Sequence, residues 1–341
     1  MNETSDGELN AELEQLDNWT SAPPPSATAQ ELLTPLVPEA HWTSTQLAVP
    51  LIASSQAFYA EWTALQAEPP YAIYHYTDAC GLNAILEAGC IWASDLMYLA
   101  GGRETDYACD LVRGQIGRRW NRADPLLNEF CEKAQAALDP IGWQRSIFAA
   151  CFCENGDALG QWRAYAGPRG GYAVGLRASA LRGRYAITAL RRVVYDPRRQ
   201  EALVGGLLDR AILLLRSQQA RGAESMGPIL EFLADHLVEL IACFKQVAFR
   251  DDCEWRLLLV ADTAYPGEAL SQVRFRRAGG HIVPYVELDL SARLGADASP
   301  IAEVICGPLE RAELSMRAIQ LLFKKRAITG ARVRSSALAM R

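Results

Sequence analysis

Two short segments, far apart in the chain, place polar side chains where a buried strand normally carries apolar ones. One contains His75 and Thr77, and the other contains Glu254 and Arg256. Side chains alternate between the two faces of a strand, so each pair is predicted to share a face. A carboxylate and a guanidinium on a core-forming strand need partners or water, because an unpaired buried charge is strongly destabilising.

Two interpretations fit this pattern. Glu254 and Arg256 form either a structural ion pair or part of the wall of a cleft, and the pattern alone favours the ion pair. His75 likewise fits a core histidine whose hydrogen bonds are satisfied. Cys253, Trp255, Leu257 and Leu259 occupy the opposite face of the same segment, which the alternation predicts to be fully apolar.

Other chemistry-bearing patterns give weaker signals. Cys151 and Cys153 lie two residues apart, but no second pair of cysteines or histidines follows at ligand spacing, so a strand is favoured and no metal is expected. Residues 167–171 are rich in glycine. No Gly-Lys-Ser/Thr follows them and no GxGxxG opens a helix there, so they are interpreted as a hairpin loop rather than a phosphate cradle.

Composition limits the class of protein. The chain has 341 residues, half of them hydrophobic, which suffices for one large domain with appendages or two modest ones. The net charge of −6 argues against a general electrostatic grip on nucleic acid. Arginines cluster locally at 191–199 and 274–277, and both clusters are interpreted as solvated charges.

The location of the protein is predicted from what its sequence contains. The acidic, polar start has no basic-then-apolar signal pattern, and no apolar run approaches the roughly 20 residues that span a bilayer. The nine cysteines form an odd set without a regular framework. These features predict a cytoplasmic protein with reduced thiols and no membrane partner.

The elements that would position the polar residues follow from local signals. Residues 1–40 are acidic and then rich in Pro, Ser, Ala and Thr, which predicts a disordered arm. Residues 41–70 are interpreted as an N-terminal helical segment that stops at Pro69-Pro70. A strand over 71–77 is followed by a helix that Asp78 caps and Gly89 ends.

The second half of the chain alternates strands with one long helical region. Residues 199–246 predict a helical pair, inserted into an otherwise β-rich region. In its second helix an inward stripe recurs at spacings of three and four, and His236 beside that stripe is interpreted as structural. The stripe consists of Leu230, Leu233, Leu237, Leu240, Ile241 and Phe244. The predicted class is α+β.

Several segments, taken together and in order, resemble a bacterial family known only as domain of unknown function 2971. They are Tyr74-His75-Tyr76-Thr77, Ile91-Trp92-Ala93-Ser94, Tyr98-Leu99, residues 156–165, residues 171–176, Glu254-Trp255-Arg256, residues 283–286, Gly307-Pro308 and residues 336–341. The resemblance runs from about residue 71 to the end. That family is in turn similar to the ADP-ribosyltransferase fold of the His-Tyr-Glu type.

This resemblance implies a fold and a ligand. The expected architecture of residues 71–341 is a split pair of small β-sheets around a cleft for NAD, with the helical insertion at about 199–246. NAD is expected as a substrate. Glu254 would hydrogen-bond the ribose hydroxyl and stabilise the positive oxocarbenium character that develops as nicotinamide leaves. His75, Tyr76 and Thr77 would form the NAD-binding strand, with His75 and Thr77 holding the adenosine-side ribose and the nicotinamide amide.

Further site roles are implied on the same basis. An aromatic ring stacks the departing nicotinamide, and Tyr98 and Tyr165 are the two candidates, although each equally fits simple packing. Arg256 would pair with the pyrophosphate or position Glu254. Ser94, at the end of the second strand, is expected to make a further polar contact.

One loop departs from the family pattern. After Tyr98-Leu99 the family usually carries Asn-Asp and a later Glu, whereas this chain has residues 100–103 (AGGR) before Glu104. If the missing polar pair contacts ligand, affinity or activity is reduced. If it only shapes the loop, Gly101 and Gly102 replace it, because glycine tolerates turn geometry without strain. The sequence leaves both alternatives open.

Three classes of function follow. The first is an NAD-consuming ADP-ribosyltransferase, as in bacterial toxins and phage-defence effectors, whose acceptor is a protein or, slightly less favoured, a nucleic acid. NAD glycohydrolase activity, with water as the acceptor, is closely related. The second is a silent module that binds a nucleotide in the cleft and a partner protein at the helical insertion or the arm. The third is a structural protein in which Glu254 and Arg256 are only an ion pair.

Overall fold

A computed structural model of the chain describes residues 48–138, 145–166, 170–181, 188–221, 225–262, 271–278, 280–290, 299–308 and 311–338. The predicted arm at 1–40 lies outside the described residues. The strands are β1 (Ala72–Thr77), β2 (Cys90–Asp95), β3 (Arg145–Cys153), β4 (Tyr172–Arg177), β5 (Thr188–Arg192), β6 (Glu254–Asp262), β7 (Arg274–Ala278), β8 (His281–Asp289), β9 (Ile301–Cys306) and β10 (Arg332–Ser335). The helices are α1 (Ala48–Leu65), α2 (Ala79–Ala88), α3 (Arg103–Gly117), α4 (Pro125–Ala136), α5 (Leu159–Tyr165), α6 (Ala178–Leu181), α7 (Pro197–Ala220), α8 (Gly227–Cys243) and α9 (Ala312–Lys325), with 3-10 helices at Leu96–Gly102 and Val247–Asp252. The predicted α+β class is confirmed.

The strands form one mixed sheet that opens near its middle. β3 pairs with β6 along its whole length, from Arg145↔Asp262 to Cys153↔Glu254. The other edge of β3 is shared, because β1 pairs there at Cys153 and β2 pairs at Phe148 and Ala149. Between these contacts β1 and β2 diverge. We call β10-β9-β4-β1 the first wing and β2-β8-β7 the second wing of the sheet.

Each face of the sheet packs against its own hydrophobic core. Leu258 of β6 belongs to the core that α1, α3, α4, α7 and α8 cover. Trp255, Leu257 and Leu259 belong to the core under α2 and α9. The predicted alternation along β6 is therefore confirmed for these residues. Glu254 and Arg256 share the side of Leu258 and face the helical layer.

The predicted caps of α2 are confirmed. The side chain of Asp78 accepts a hydrogen bond from the Gly81 amide at 2.8 Å, and Gly89 ends the helix at φ 65° in the left-handed region. Leu82, Ile85 and Leu86 are buried. α2 connects β1 to β2, so its capped ends fix where the two wings separate.

α8 lies at the centre of the helical layer. Nearly every residue from Phe232 to Cys243 is buried, including Glu239. Glu239 pairs with Arg191 and accepts hydrogen bonds from Tyr59 Oη at 2.9 Å and Trp62 Nε1 at 2.7 Å. α1 is thus bound into the same layer as α7 and α8. Among the described residues, no helix is long and apolar enough to cross a membrane.

Candidate functional site

A cleft of about 570 Å³ lies where the two wings separate. Every predicted site residue except Tyr98 lines it, and these are His75, Tyr76, Thr77, Ser94, Tyr165, Glu254 and Arg256. The cleft also includes charged residues that the sequence did not assign to a site, and these are Asp78, Glu104, Lys245, Asp252, Arg276 and Glu287. The open gap between β1 and β2 therefore gathers most of the predicted polar groups in one place.

Glu254 is held by two cations. Its Oε1 accepts a hydrogen bond from Arg256 Nε at 2.7 Å, and its Oε2 accepts one from Lys245 Nζ at 2.9 Å. Arg256 also donates to the Ala242 carbonyl at 2.7 Å and to Glu104. The Arg256 side chain is 2% exposed. Its guanidinium is therefore used in positioning Glu254 and joining it to the end of α8.

The cluster carries more negative than positive charge. Lys245 Nζ lies 2.8 Å from Asp252 and 3.2 Å from Glu104, so three carboxylates share two cations and the formal sum is −1. Burial alone would raise the pKa of Glu254, but Arg256 and Lys245 outweigh it and lower that pKa to about 2. Glu254 is consequently an anion across the neutral pH range, and the cleft holds a site suited to positive charge.

His75 satisfies a backbone group that the open sheet leaves unpaired. Its Nδ1 lies 2.9 Å from the Cys151 carbonyl, on the part of β3 that neither β1 nor β2 covers. A carbonyl only accepts, so Nδ1 carries the proton and Nε2 keeps a lone pair. Burial lowers the pKa of His75, despite the opposing effect of this hydrogen bond. His75 is thus a neutral ring whose Nε2 is an acceptor without a partner among the described residues.

His75 and Glu254 reach the cleft from opposite faces of the sheet. Tyr74, Cys153 and Glu254 lie in one row across β1, β3 and β6, so their side chains share a face. His75, the next residue along β1, belongs to the other face and makes an edge contact with Phe152 at 6.0 Å between ring centroids. Both line the same cleft because the sheet is open between its wings.

The second wing contributes a guanidinium and an aromatic ring. Arg276 of β7 donates to Ser94 Oγ at 3.0 Å, and its Nε is buried without a hydrogen-bond partner in the described part of the chain. Its guanidinium carbon lies 5.9 Å from the centre of the Trp92 ring, which is 39% exposed. The predicted polar role of Ser94 therefore includes holding Arg276 at the wall of the cleft.

The three candidate tyrosines differ in position. Tyr165, at the end of α5, lines the cleft and is 56% exposed. Tyr98 is 45% exposed and does not line the cleft, where its neighbour Leu99 stands instead. Tyr76 is buried, and its hydroxyl donates to the Asn155 carbonyl at 2.7 Å and accepts from the Ala158 amide at 2.9 Å. Tyr165 is thus the tyrosine placed to stack a ligand.

The loop at residues 100–103 contains a turn in the left-handed region of backbone conformation. Gly102 has φ 77°, and a Cβ at this position would lie 3.3 Å from the Met97 carbonyl oxygen. Glycine is therefore favoured at 102 by backbone conformation. The next turn begins α3 and brings Glu104 to Lys245 and Arg256. The turn at Gly102 therefore also determines where the Glu104 carboxylate lies in the cleft.

Sequence reasoning missed Lys245, Glu104 and Arg276 as site residues. Lys245 follows α8 and precedes an irregular segment, so no periodicity marks it. Arg276 alternates with Phe275 on an edge strand, where charged side chains usually face solvent. One feature of the sequence could have identified Lys245 as a site residue. It follows a long apolar helix, where a charged side chain needs a nearby partner.

Comparison with known proteins gives no further assignment. No protein-family model, no curated protein and no solved structure matches the chain. The resemblance to domain of unknown function 2971 therefore stays a prediction. Among the described residues, no group of three or more His, Cys, Asp and Glu side chains is arranged to hold a metal ion.

Proposed function

We propose that this protein is an NAD-consuming ADP-ribosyltransferase whose reaction takes place in the cleft between the two wings. The observation that supports this most directly is the cluster around Glu254. It is a carboxylate held anionic in a cleft of about 570 Å³, within a group of charges that sums to −1. Such a site stabilises positive charge that develops on a bound ligand.

The reaction breaks the bond between C1′ of the ribose and the nicotinamide nitrogen. The electron pair of that bond leaves with nicotinamide, and the ribose acquires oxocarbenium character. Each oxygen of a carboxylate offers two acceptor positions, and Oε1 of Glu254 uses one of them for Arg256 Nε at 2.7 Å. Its second position accepts the ribose hydroxyl. The acceptor then bonds to C1′ and its proton passes to water.

The opposite ends of NAD match different parts of the cleft. His75 Nε2 accepts a hydrogen bond from a hydroxyl of the adenosine-side ribose, and Thr77 on the same face offers a hydroxyl to the nicotinamide amide. Tyr165 supplies the exposed ring for stacking. Because His75 and Glu254 come from different faces of the sheet, the ligand passes through the gap between β1 and β2.

The pyrophosphate is assigned to Arg276 rather than Arg256. Arg256 already donates to Glu254, Glu104 and the Ala242 carbonyl, which leaves it the role of positioning Glu254. Arg276 has a buried Nε without a partner in the described part of the chain and lines the cleft from the second wing. A phosphate oxygen satisfies that donor and gains a charge-assisted hydrogen bond.

The fate of the ADP-ribose group defines the biological role. Transfer to a macromolecule makes the protein a transferase of the kind that serves as a toxin or a phage-defence effector. Transfer to water makes it an NAD glycohydrolase, which acts by depleting NAD. Radiolabel from the adenylate part of NAD separates the two, because only a transferase leaves it on a macromolecule.

A silent nucleotide-binding module is the second candidate, and one observation favours it. Both carboxylate oxygens of Glu254 already accept hydrogen bonds from cations at 2.7–2.9 Å, which weakens their attraction for a developing positive charge. Such a module binds NAD without releasing nicotinamide. Its partner surface would not be α8, because that helix is buried within the helical layer.

The decisive experiment follows nicotinamide release from NAD by the purified protein, beside Glu254→Gln. We expect the substitution to lower kcat by about 10²–10³-fold, the usual effect of removing one electrostatic group that stabilises a transition state. Glu303→Gln is the matched control, since Glu303 is similarly buried and bonds Tyr74 Oη and Arg334 but does not itself line the cleft. Full turnover in folded Glu254→Gln would falsify the mechanism, and NAD binding without turnover by the wild type would favour the silent module or a missing activator.

A further inference from the structure

β7 is a basic strand at the edge of the second wing. It pairs only with β8, and no other described strand covers its outer edge. Three of its first four residues are arginines, namely Arg274, Arg276 and Arg277. This concentration of positive charge contrasts with the net charge of −6 of the whole chain.

Large apolar side chains lie exposed beside these arginines. Phe275 is 64% exposed and Ile282 is 66% exposed. Arg277 is the register partner of Ile282, and Phe275 lies two residues before Arg277, so the three share one face of the hairpin. Arg277 has no hydrogen-bond or ion-pair partner in the described part of the chain. The arginines are sufficient to protect this edge strand from pairing with another strand. The exposed Phe275 ring and Ile282 side chain do not serve that purpose and require another explanation.

The same strand reaches the cleft with its other face. Arg276 alternates with Phe275 and Arg277, and it lines the cleft beside Ser94. Arg274 shares the face of Arg276 and pairs with Glu287 at 3.2 Å, although its side chain is 61% exposed. A ligand that follows the outer edge of β7 is therefore a neighbour of the cleft.

We propose that the β7–β8 hairpin binds single-stranded nucleic acid. Arg277 contacts a phosphate, and a base stacks on Phe275 with Ile282 against its edge. Exposed aromatic rings interleaved with arginines are the combination by which proteins hold single strands without reading their sequence. Charge complementarity selects a polyanion, and the exposed ring favours bases over the aliphatic and carboxylate side chains of an acidic protein segment.

The role of the bound nucleic acid as the acceptor of ADP-ribose rests on the proposed function. A nitrogen or hydroxyl of the bound nucleic acid forms the new bond to C1′ as nicotinamide departs with its electron pair, and the proton of the acceptor passes to water. The sequence, from its overall charge, slightly favoured a protein acceptor. The local charge of β7 instead favours a nucleic acid. The binding surface itself does not depend on NAD chemistry.

The test is fluorescence anisotropy of a fluorescein-labelled, mixed-sequence 20-nucleotide single-stranded DNA titrated with the full chain. We expect binding that weakens with salt, and a loss of about tenfold in affinity for Phe275→Ala, within the range for stacking of one base. Arg277→Ala is expected to reduce the slope of log affinity against log salt by about 0.7. The matched controls are Leu314→Ala, which removes an apolar side chain 59% exposed on α9, and Arg198→Ala on α7.

Three results would overturn the proposal that this hairpin binds nucleic acid. These are no binding of the oligonucleotide by the wild type, control substitutions that weaken binding as much as Phe275→Ala and Arg277→Ala, or polyglutamate of matched charge that displaces the labelled oligonucleotide as well as unlabelled oligonucleotide does. The last result would assign the hairpin to an acidic protein. Nicotinamide release is measured both with and without the DNA for wild type and Phe275→Ala. Phe275-dependent DNA binding without any nicotinamide release supports the surface while excluding the transferase, so the two proposals fail separately.

Discussion

Two of the buried carboxylate–guanidinium clusters in the described part of the chain have opposite designs. Glu239 is fully buried in the helical layer, where Arg191 pairs with it and Tyr59 and Trp62 donate to it. Glu254 lies on an open cleft, where its cluster has a formal charge of −1. The first binds three elements of the fold together. The second leaves charge and acceptor capacity facing a space that a ligand can fill.

This contrast separates two interpretations that the sequence leaves open. A carboxylate beside a guanidinium is compatible with a structural pair and with a site, and the residue types alone do not distinguish them. Two other properties do distinguish them, namely whether the carboxylate is enclosed by the fold or lies on a cleft, and whether the charges of its cluster sum to zero. By these criteria Glu239 fits the structural pair and Glu254 fits the site, which leads to opposite expectations for the two clusters when they are mutated.

The largest expected effect is on stability, at Glu239. Glu239→Ala leaves the buried Arg191 without its carboxylate and is expected to lower the free energy of unfolding by about 3–5 kcal/mol. Urea unfolding of the purified protein measures this. Glu129→Ala serves as the control, because Glu129 and Lys133 form an exposed pair with side chains 52% and 51% accessible, and it should change stability by less than about 1 kcal/mol. Equal losses in the two variants would contradict the contrast.

The next effect is on catalysis, at Arg256. Lysine cannot reproduce the guanidinium contacts to Glu254 and the Ala242 carbonyl, so Arg256→Lys is expected to lower kcat by about 10²-fold through misplacement of Glu254. KM for NAD should remain near the wild-type value. Arg192→Lys is the control, because Arg192 pairs with Glu154 and its side chain is 41% exposed. A rise in KM at unchanged kcat would instead make Arg256 a phosphate ligand.

A smaller effect is expected in ligand binding, at Arg276. Arg276→Ala removes one charge-assisted contact to the pyrophosphate and should raise the Kd for NAD by roughly tenfold or more. Isothermal titration calorimetry on the full chain measures this Kd. Loss of the side chain also frees Ser94 Oγ, so Ser94→Ala is the control that shows how much of the change belongs to that hydroxyl. An unchanged Kd in Arg276→Ala would remove Arg276 from the NAD site.

The smallest effect is a change in acid sensitivity. The pKa of Glu254 is lowered from 4.5 to about 2, so the unfolded chain binds more protons than the folded one between these values. The stability that Glu254 contributes is present above about pH 4.5 and is lost as pH falls towards 2. In Glu254→Gln the dependence of unfolding free energy on pH should be shallower there, by at most about 1.4 kcal/mol per pH unit. Identical slopes in urea titrations from pH 5 to pH 3 would show that Glu254 is not held anionic.

Local patterns in the sequence predicted the parts of the fold that local interactions determine. The caps at Asp78 and Gly89, and the separation of Trp255, Leu257 and Leu259 from the face of Leu258, follow from neighbouring residues alone. These features position β1 and orient the Glu254 side chain. Much of the wall of the cleft was therefore predictable.

The remainder depends on contacts between distant segments. Periodicity predicted one inward stripe on α8, but Asp235, His236 and Glu239 are buried as well because the helix lies inside its layer. The end of β5 at Arg192 is set by its pairing with β6 rather than by a local signal. Likewise, the opening between β1 and β2 depends on where along β3 each of these two strands pairs. No local pattern in the sequence encodes those positions.

The junction between Arg256 and Glu104 has a consequence for the timing of synthesis. Its two side chains are separated by 152 residues along the chain, and the cluster they belong to also needs Lys245. Contacts of such long sequence separation form only after the intervening chain is available. A nascent chain that has not yet emerged as far as β6 lacks Glu254 altogether. If the protein consumes NAD, the cell that makes it is therefore protected from that activity until most of the chain has left the ribosome.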